Sequence, residues 1–128
     1  EGRTEICVTN RGIEDGRAIA RMTQLRTLNL AFNHITDMSF VDSLTHLEIL
    51  HISHNSIASF SKGIPRSLRV LTATSNRIKS LENLRGLTQL EDLWLQKNRI
   101  EDLREIRYLR TLVNLKRLVL KPNPICKR

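Results

Sequence analysis

The chain has 128 residues, 40% of them hydrophobic but only 4% aromatic, and a formal net charge of +8. That length suits one domain with an aliphatic core, and no apolar run approaches the roughly 18 residues that a bilayer span requires. The charge is lopsided: Gln96 to Arg128 holds ten basic and three acidic residues, a surplus of +7, whereas the preceding 95 residues hold eleven and ten, a surplus of +1. Solubility explains such a basic end, and so does an acidic partner.

Residues 1–24 open on a loosely kept version of a pattern that the rest of the chain repeats. Ile6, Val8 and Ile13 fit it, while Arg3 and Arg11 replace its first leucine and its asparagine. ICV is predicted as the first strand, with Ile19, Met22 and Ala18 turned inward behind it. From residue 25 the frame L-x-x-L-x-L-x-x-N-x-I is filled five times. Leu25, Leu28, Leu30, Asn33 and Ile35 begin it; Leu47, Leu50, Ile52, Asn55 and Ile57 follow; then Leu68, Leu71, Ala73, Asn76 and Ile78; Leu90, Leu93, Leu95, Asn98 and Ile100; and Leu115, Leu118, Leu120, Asn123 and Ile125. The first leucines lie 22, 21, 22 and 25 residues apart.

This is the signature of a leucine-rich repeat. It implies an α/β solenoid, with a right-handed, curved parallel sheet on the concave face and 3₁₀ or short helices on the convex face. The expected divisions are an N-terminal capping repeat over 1–24, four regular repeats over 25–114, and a last repeat with a shortened cap over 115–128. Each x-L-x-L-x stretch should be a short strand, leucines inward and neighbours outward. The asparagines should point inward and bond to the backbone of the turns. On the return segments Met38, Val41 and Leu44, then Phe60 and Ile64, then Leu81, Leu84 and Leu87 mark the inward side at a spacing near three, as in 3₁₀ turns. Pro65 should deny the second of these segments a regular helix. Leu103, Ile106, Leu109 and Leu112 mark a longer helical stretch, with Arg104, Arg107 and Arg110 beside them.

The strings SLENLRGLTQLEDLWLQKNRI and DLREIRYLRTLVNLKRLVLKPNPI resemble the short repeat class of about 22 residues typified by the regulatory subunit of protein phosphatase 1 and the axonemal dynein leucine-rich light chain. In that class a lengthened penultimate repeat is followed by N-P, matched here by the 25 residues from Asn98 to Asn123 and by Asn123-Pro124. The resemblance implies a non-enzymatic scaffold for protein partners in microtubule, ciliary or centrosomal assembly. Its alternatives are a phosphatase regulatory subunit and a scaffold of a splicing ribonucleoprotein. The chain opens at Glu1 without a methionine, as expected for a fragment of a larger protein. Cys7 and Cys126 lie in the first and last repeats, too far apart to pair, which fits a reducing compartment and a cytoplasmic, cytoskeletal or ciliary setting.

The outward strand positions form columns. Cys7, Asn29, His51, Thr72, Trp94 and Val119 make the central one; Glu5, Thr27, Ile49, Val70, Asp92 and Arg117 flank it on one side, Thr9, Ala31, Ser53, Thr74, Gln96 and Lys121 on the other. The single tryptophan is on this face, and tryptophan is enriched at binding hot spots. The candidate partner-binding residues are therefore Ile49, His51, Val70, Thr72, Asp92, Trp94, Lys97, Arg117 and Lys121, for a protein partner of acidic character. Arg26, Glu48, Arg69, Glu91 and Lys116 alternate in sign down one column and should pair across the strands as a structural ladder. His51 and His54, three apart on an extended chain, should point to opposite sides, and no second pair at ligand spacing joins them, so no metal is expected. No cofactor loop or catalytic triad is legible. Only Tyr108 interleaves the arginines at 104, 107 and 110, so nucleic acid is not the expected partner. Partner identity and oligomeric state are left open.

Overall fold

The computed structural model describes residues 3–126; the outermost residues of the expected terminal divisions, 1–2 and 127–128, lie outside it, among them two cations of the basic end. Six strands of three residues form one parallel sheet in chain order: β1 Glu5–Cys7, β2 Thr27–Asn29, β3 Ile49–His51, β4 Val70–Thr72, β5 Asp92–Trp94 and β6 Arg117–Val119. The order follows from the repeat, since each coil can bury its leucines only against the coils before and after it. Strand pairing keeps the frame without a slip, running Glu5, Thr27, Ile49, Val70, Asp92, Arg117 in one column and Cys7, Asn29, His51, Thr72, Trp94, Val119 in the next. The first strand begins one residue earlier than ICV suggests.

Between strands the chain returns through 3₁₀ helices Ile19–Arg21, Ser39–Ser43, Glu82–Leu84 and Leu103–Thr111. The segment with Pro65 has none, and both Pro65 and Ile64 are buried. The frame leucines of repeats two to five are fully buried with Met38, Val41, Phe60 and Leu84. Three expectations of inward packing fail. Ala18 is exposed, its place being taken by Gly16, which lies buried under the ring of Phe40. Leu103 is 74% exposed. Its helix is anchored two residues later, where Glu105 reaches back to accept the Leu81 N–H at 2.8 Å, and it is Tyr108, Leu109 and Leu112 that pack on the core while Leu103 overhangs and Ile106 is only half-buried. Leu118, the core position of β6, is 39% exposed because that strand has a neighbour on one side only.

Two ladders lock the coils together. The side-chain oxygens of Asn55, Asn76, Asn98 and Asn123 accept the N–H of Ile35, Ile57, Ile78 and Ile100 in the preceding repeat. Their amides donate to strand-end carbonyls of both repeats, for Asn98 those of Ala73 and Leu95. Among the described residues no buried side-chain polar atom lacks a partner, as a buried polar ladder requires. The charge ladder also forms: Arg26–Glu48 at 2.7 Å, Glu48–Arg69 at 3.9 Å, Arg69–Glu91 at 3.2 Å and Glu91–Lys116 at 3.6 Å.

Candidate functional site

Because side chains alternate along each strand, the residues flanking the buried leucines all project from the concave face. At the middle of the sheet they enclose an open groove of about 450 Å³, lined by His51, Ser53, His54, Val70, Thr72, Thr74, Asp92, Trp94 and Gln96. Trp94 is half-buried, and its Nε1–H donates to Asp92 Oδ1 at 2.9 Å. The ring is thereby tethered to its own strand, and the Asp92 carboxylate is partly engaged. One strand over, Thr72 shares a hydrogen bond of 2.8 Å with His51 Nδ1. Thr74 donates its hydroxyl to Gln96 Oε1 at 2.8 Å, and its N–H goes to Ser53 Oγ at 3.0 Å. Burial in this apolar-walled groove holds the His51 imidazole below its ordinary value of 6.5, since a charged ring would lose hydration there.

Five of the nine residues expected at the site line the groove: His51, Val70, Thr72, Asp92 and Trp94. Thr72 differs from expectation in being buried, only 8% exposed, because the larger His51 and Trp94 stand on either side of it. Ile49 is half-buried beside Val70, while Lys97, Arg117 and Lys121 are exposed toward the C-terminal end, outside the lining. Ser53, His54, Thr74 and Gln96 join the lining without having been singled out as site residues.

His54 corrects the expectation that it points away from His51. It takes a left-handed backbone, φ 59°, which breaks the alternation and returns its ring to the groove rim. There it stacks on Phe32 with ring centroids 4.2 Å apart. The same backbone recurs at Asn10, Phe32, Ser75 and Lys97, one residue before the asparagine position of every repeat but the last, where Pro122 precedes Asn123. Among the described residues no helix is long and apolar enough to cross a membrane.

Comparison with known proteins agrees with this geometry. A family model described as leucine-rich repeats in two copies matches residues 23–62 and 66–108. Podocan-like protein 1 of Homo sapiens is 38% identical over 109 residues, with 74% of this chain and 21% of the relative covered. The protein phosphatase 1 regulatory inhibitor subunit PPP1R7 homolog of Arabidopsis thaliana is 32% identical over 85 residues, covering 65% and 26%. Cilia- and flagella-associated protein 410 of Mus musculus is 42% identical over 60 residues, covering 47% and 24%. Among solved structures, internalin C2 of Listeria monocytogenes superposes with a TM-score of 0.85 at 28% identity, covering 92% of this chain and 51% of that one. The chain spans about a fifth to a quarter of the length of these curated relatives. The leucine-rich repeat family model alone covers well over half of the chain, which therefore belongs to the leucine-rich repeat family.

Proposed function

We propose that the domain is a non-enzymatic scaffold that binds a protein partner through its concave sheet. The observation that carries this reading is the half-exposed Trp94, tethered by Asp92 over a groove walled by Val70, Thr72 and His51. A large ring already fixed on a rigid sheet loses little freedom on binding, so most of its contact energy is realised as affinity. Ile49 extends the apolar floor beside Val70, and Lys97, Arg117 and Lys121 supply a cationic flank for acidic residues of the partner. In this reading 25–114 is the regular body of the array, with the looser coils of residues 3–24 before it and 115–126 after it.

The likeness to a cilia- and flagella-associated protein supports a cytoskeletal or ciliary setting within the cytoplasm. The likeness to a phosphatase regulatory inhibitor subunit supports a second reading, in which the same face holds a phosphatase. Capture from an extract of ciliated cells with the wild-type and Trp94→Ala domains, quantified by mass spectrometry, separates the two. Axonemal or ciliary proteins retained by the wild type and lost with Trp94→Ala support the first; a phosphatase catalytic subunit behaving so supports the second. Identical retention by both domains removes the concave site from consideration.

A further inference from the structure

The convex face of the fifth repeat carries a second surface that the concave groove does not use. Nine residues, Leu103–Thr111, run as one 3₁₀ helix. A 3₁₀ helix has three residues per turn and a rise of about 2.0 Å per residue, so side chains three apart eclipse and recur every ~6 Å. Leu103, Ile106 and Leu109 share one row, of which Leu109 packs on the core, and Arg104, Arg107 and Arg110, all exposed, share another.

Two of these arginines are held in place by neighbours. Arg104 donates to both oxygens of Asp102, at 3.1 and 2.8 Å, while the same carboxylate caps the helix by accepting the Arg104 N–H. The Arg107 guanidinium lies over the Tyr108 ring, 5.2 Å from its centroid, and donates to the Tyr108 hydroxyl at 3.3 Å. Glu105, the remaining acid of the helix, is occupied by the Leu81 N–H. Val113 follows Arg110 at the same spacing just past the helix end, and Leu103 opens the neighbouring row at the other end; at 77% and 74% they are the two most exposed large apolar side chains among the described residues.

We propose that this ridge docks an acidic α-helix of a protein partner, carrying carboxylates at every fourth residue and an apolar side chain beyond each end. An α-helix rises about 1.5 Å per residue, so every fourth side chain also recurs at ~6 Å. Rungs on the two helices therefore coincide, with a drift of about 40° per rung around the α-helix, which glutamate side chains absorb over three rungs. Guanidinium and carboxylate pair in a planar, charge-assisted geometry, which Arg107 and Arg110 offer, whereas Arg104 already commits its Nε and Nη2 to Asp102 and presents only its remaining donors; a guanidinium fixed beforehand loses less freedom on pairing. A phosphodiester backbone would leave Leu103 and Val113 without contacts, and an anionic lipid surface imposes no spacing on the arginines.

The test is fluorescence anisotropy with a labelled, stapled helical peptide bearing glutamates at i, i+4 and i+8 and a leucine beyond each end, against a peptide of equal composition with the glutamates on three faces. The in-register peptide should bind at least about tenfold more tightly, and added salt should weaken it. Arg107→Glu/Arg110→Glu should abolish binding, the milder Arg107→Gln/Arg110→Gln should weaken it about tenfold or more, and Leu103→Ser/Val113→Ser should weaken it less. Urea midpoints confirm that the variants fold, and Trp94→Ala should bind the peptide as the wild type does, which separates this surface from the groove. Equal affinity for the two peptides, absent binding of the in-register peptide, retention by the double glutamate variant, or preference for phosphatidylserine vesicles or a single-stranded oligonucleotide overturns the proposal.

Discussion

The side-chain oxygen of Asn76 accepts the N–H of Ile57 at 3.0 Å, so an amide of one repeat closes the turn of the repeat before it. The Asn76 amide donates to the carbonyls of Ile52 and Ala73, which also accept from Asn55 and Asn98 respectively. Asn76→Leu therefore orphans the Ile57 N–H completely and leaves the two carbonyls half served. One orphaned buried donor costs about 1–3 kcal/mol, so the variant, although more apolar, should lose about 2 kcal/mol or more. Thr88→Ala, at an exposed position, should stay within about 0.5 kcal/mol of the wild type. Thr72 cannot serve as that reference because it is buried. Equal urea midpoints for the two variants would refute the role given to the ladder.

His51 gives the groove a pH signature. Its folded-state pKa lies below the ordinary 6.5 because burial disfavours the charged ring. The unfolded chain then binds the proton more readily, so the stability contributed by neutral His51 is complete above about pH 6.5 and is lost as the pH falls through the lower folded value. The urea midpoint of the wild type should decline over that interval relative to His51→Gln, whose side chain does not titrate. Parallel curves for the two proteins across pH 5 to 8 would show that the groove is open enough to hydrate the imidazolium.

The charge ladder is sensitive at its centre. Glu91 lies between Arg69 at 3.2 Å and Lys116 at 3.6 Å, and its carboxylate is held below the usual range, chiefly by the hydrogen bond from Arg69. Glu91→Lys would set three cations in adjoining coils. Its melting temperature should fall below that of Glu91→Gln, and the gap should close as salt is raised, because exposed charges are screened. A gap indifferent to salt would assign the effect to packing instead.

The repeat period made the columns of the sheet legible residue by residue, because a parallel stack without slips carries every frame position onto its counterpart. Departures arise where a property depends on neighbours rather than on period. His54 enters the groove through a left-handed backbone that neither Phe32, Ser75 nor Lys97 advertises, since none of them is glycine. Thr72 is buried by the size of His51 and Trp94, not by its own place in the frame. Leu103 swings out because the longer fifth return segment is tied down at Glu105, a contact between coils. The three extra residues that make this segment visible in the sequence do not say which of its turns will overhang.

Gly16 illustrates a packing constraint of the same kind. A Cβ built there would lie 2.5 Å from the Phe40 ring, far inside contact distance. Replacing glycine by alanine commonly stabilises by restricting the unfolded chain, by about 0.4–1 kcal/mol. Here the ring must move instead, and overpacking of this kind costs about 1–3 kcal/mol, so the net sign should be destabilising. Gly16→Ala combined with Phe40→Leu should cost less than the sum of the two single changes, because the smaller side chain leaves room for the methyl group. Additive losses in urea denaturation would place the strain in the backbone rather than under the ring.

Trp94 is the residue on which the proposed concave site stands. Its ring sits in the same column as Thr72 and Val119, lines the groove, and is tied to Asp92 rather than buried among the leucines. Truncation should therefore remove contact surface while leaving the stack of coils intact. Trp94→Ala should weaken binding of a concave-face partner by about 2 kcal/mol or more with a nearly unchanged melting temperature. His51→Ala and Ile49→Ala should follow at smaller cost, the first through loss of the wall beside Thr72, the second through loss of apolar floor beside Val70. Asp92→Asn offers a finer check, since it keeps an acceptor for the indole N–H while removing the charge. If the tether matters more than the charge, Asp92→Asn should retain most of the affinity and Asp92→Ala should lose part of it, with titration calorimetry reading both. A strongly lowered melting temperature for Trp94→Ala would make the ring part of the core, and unaltered affinity in a well-folded variant would move the binding face elsewhere on the solenoid.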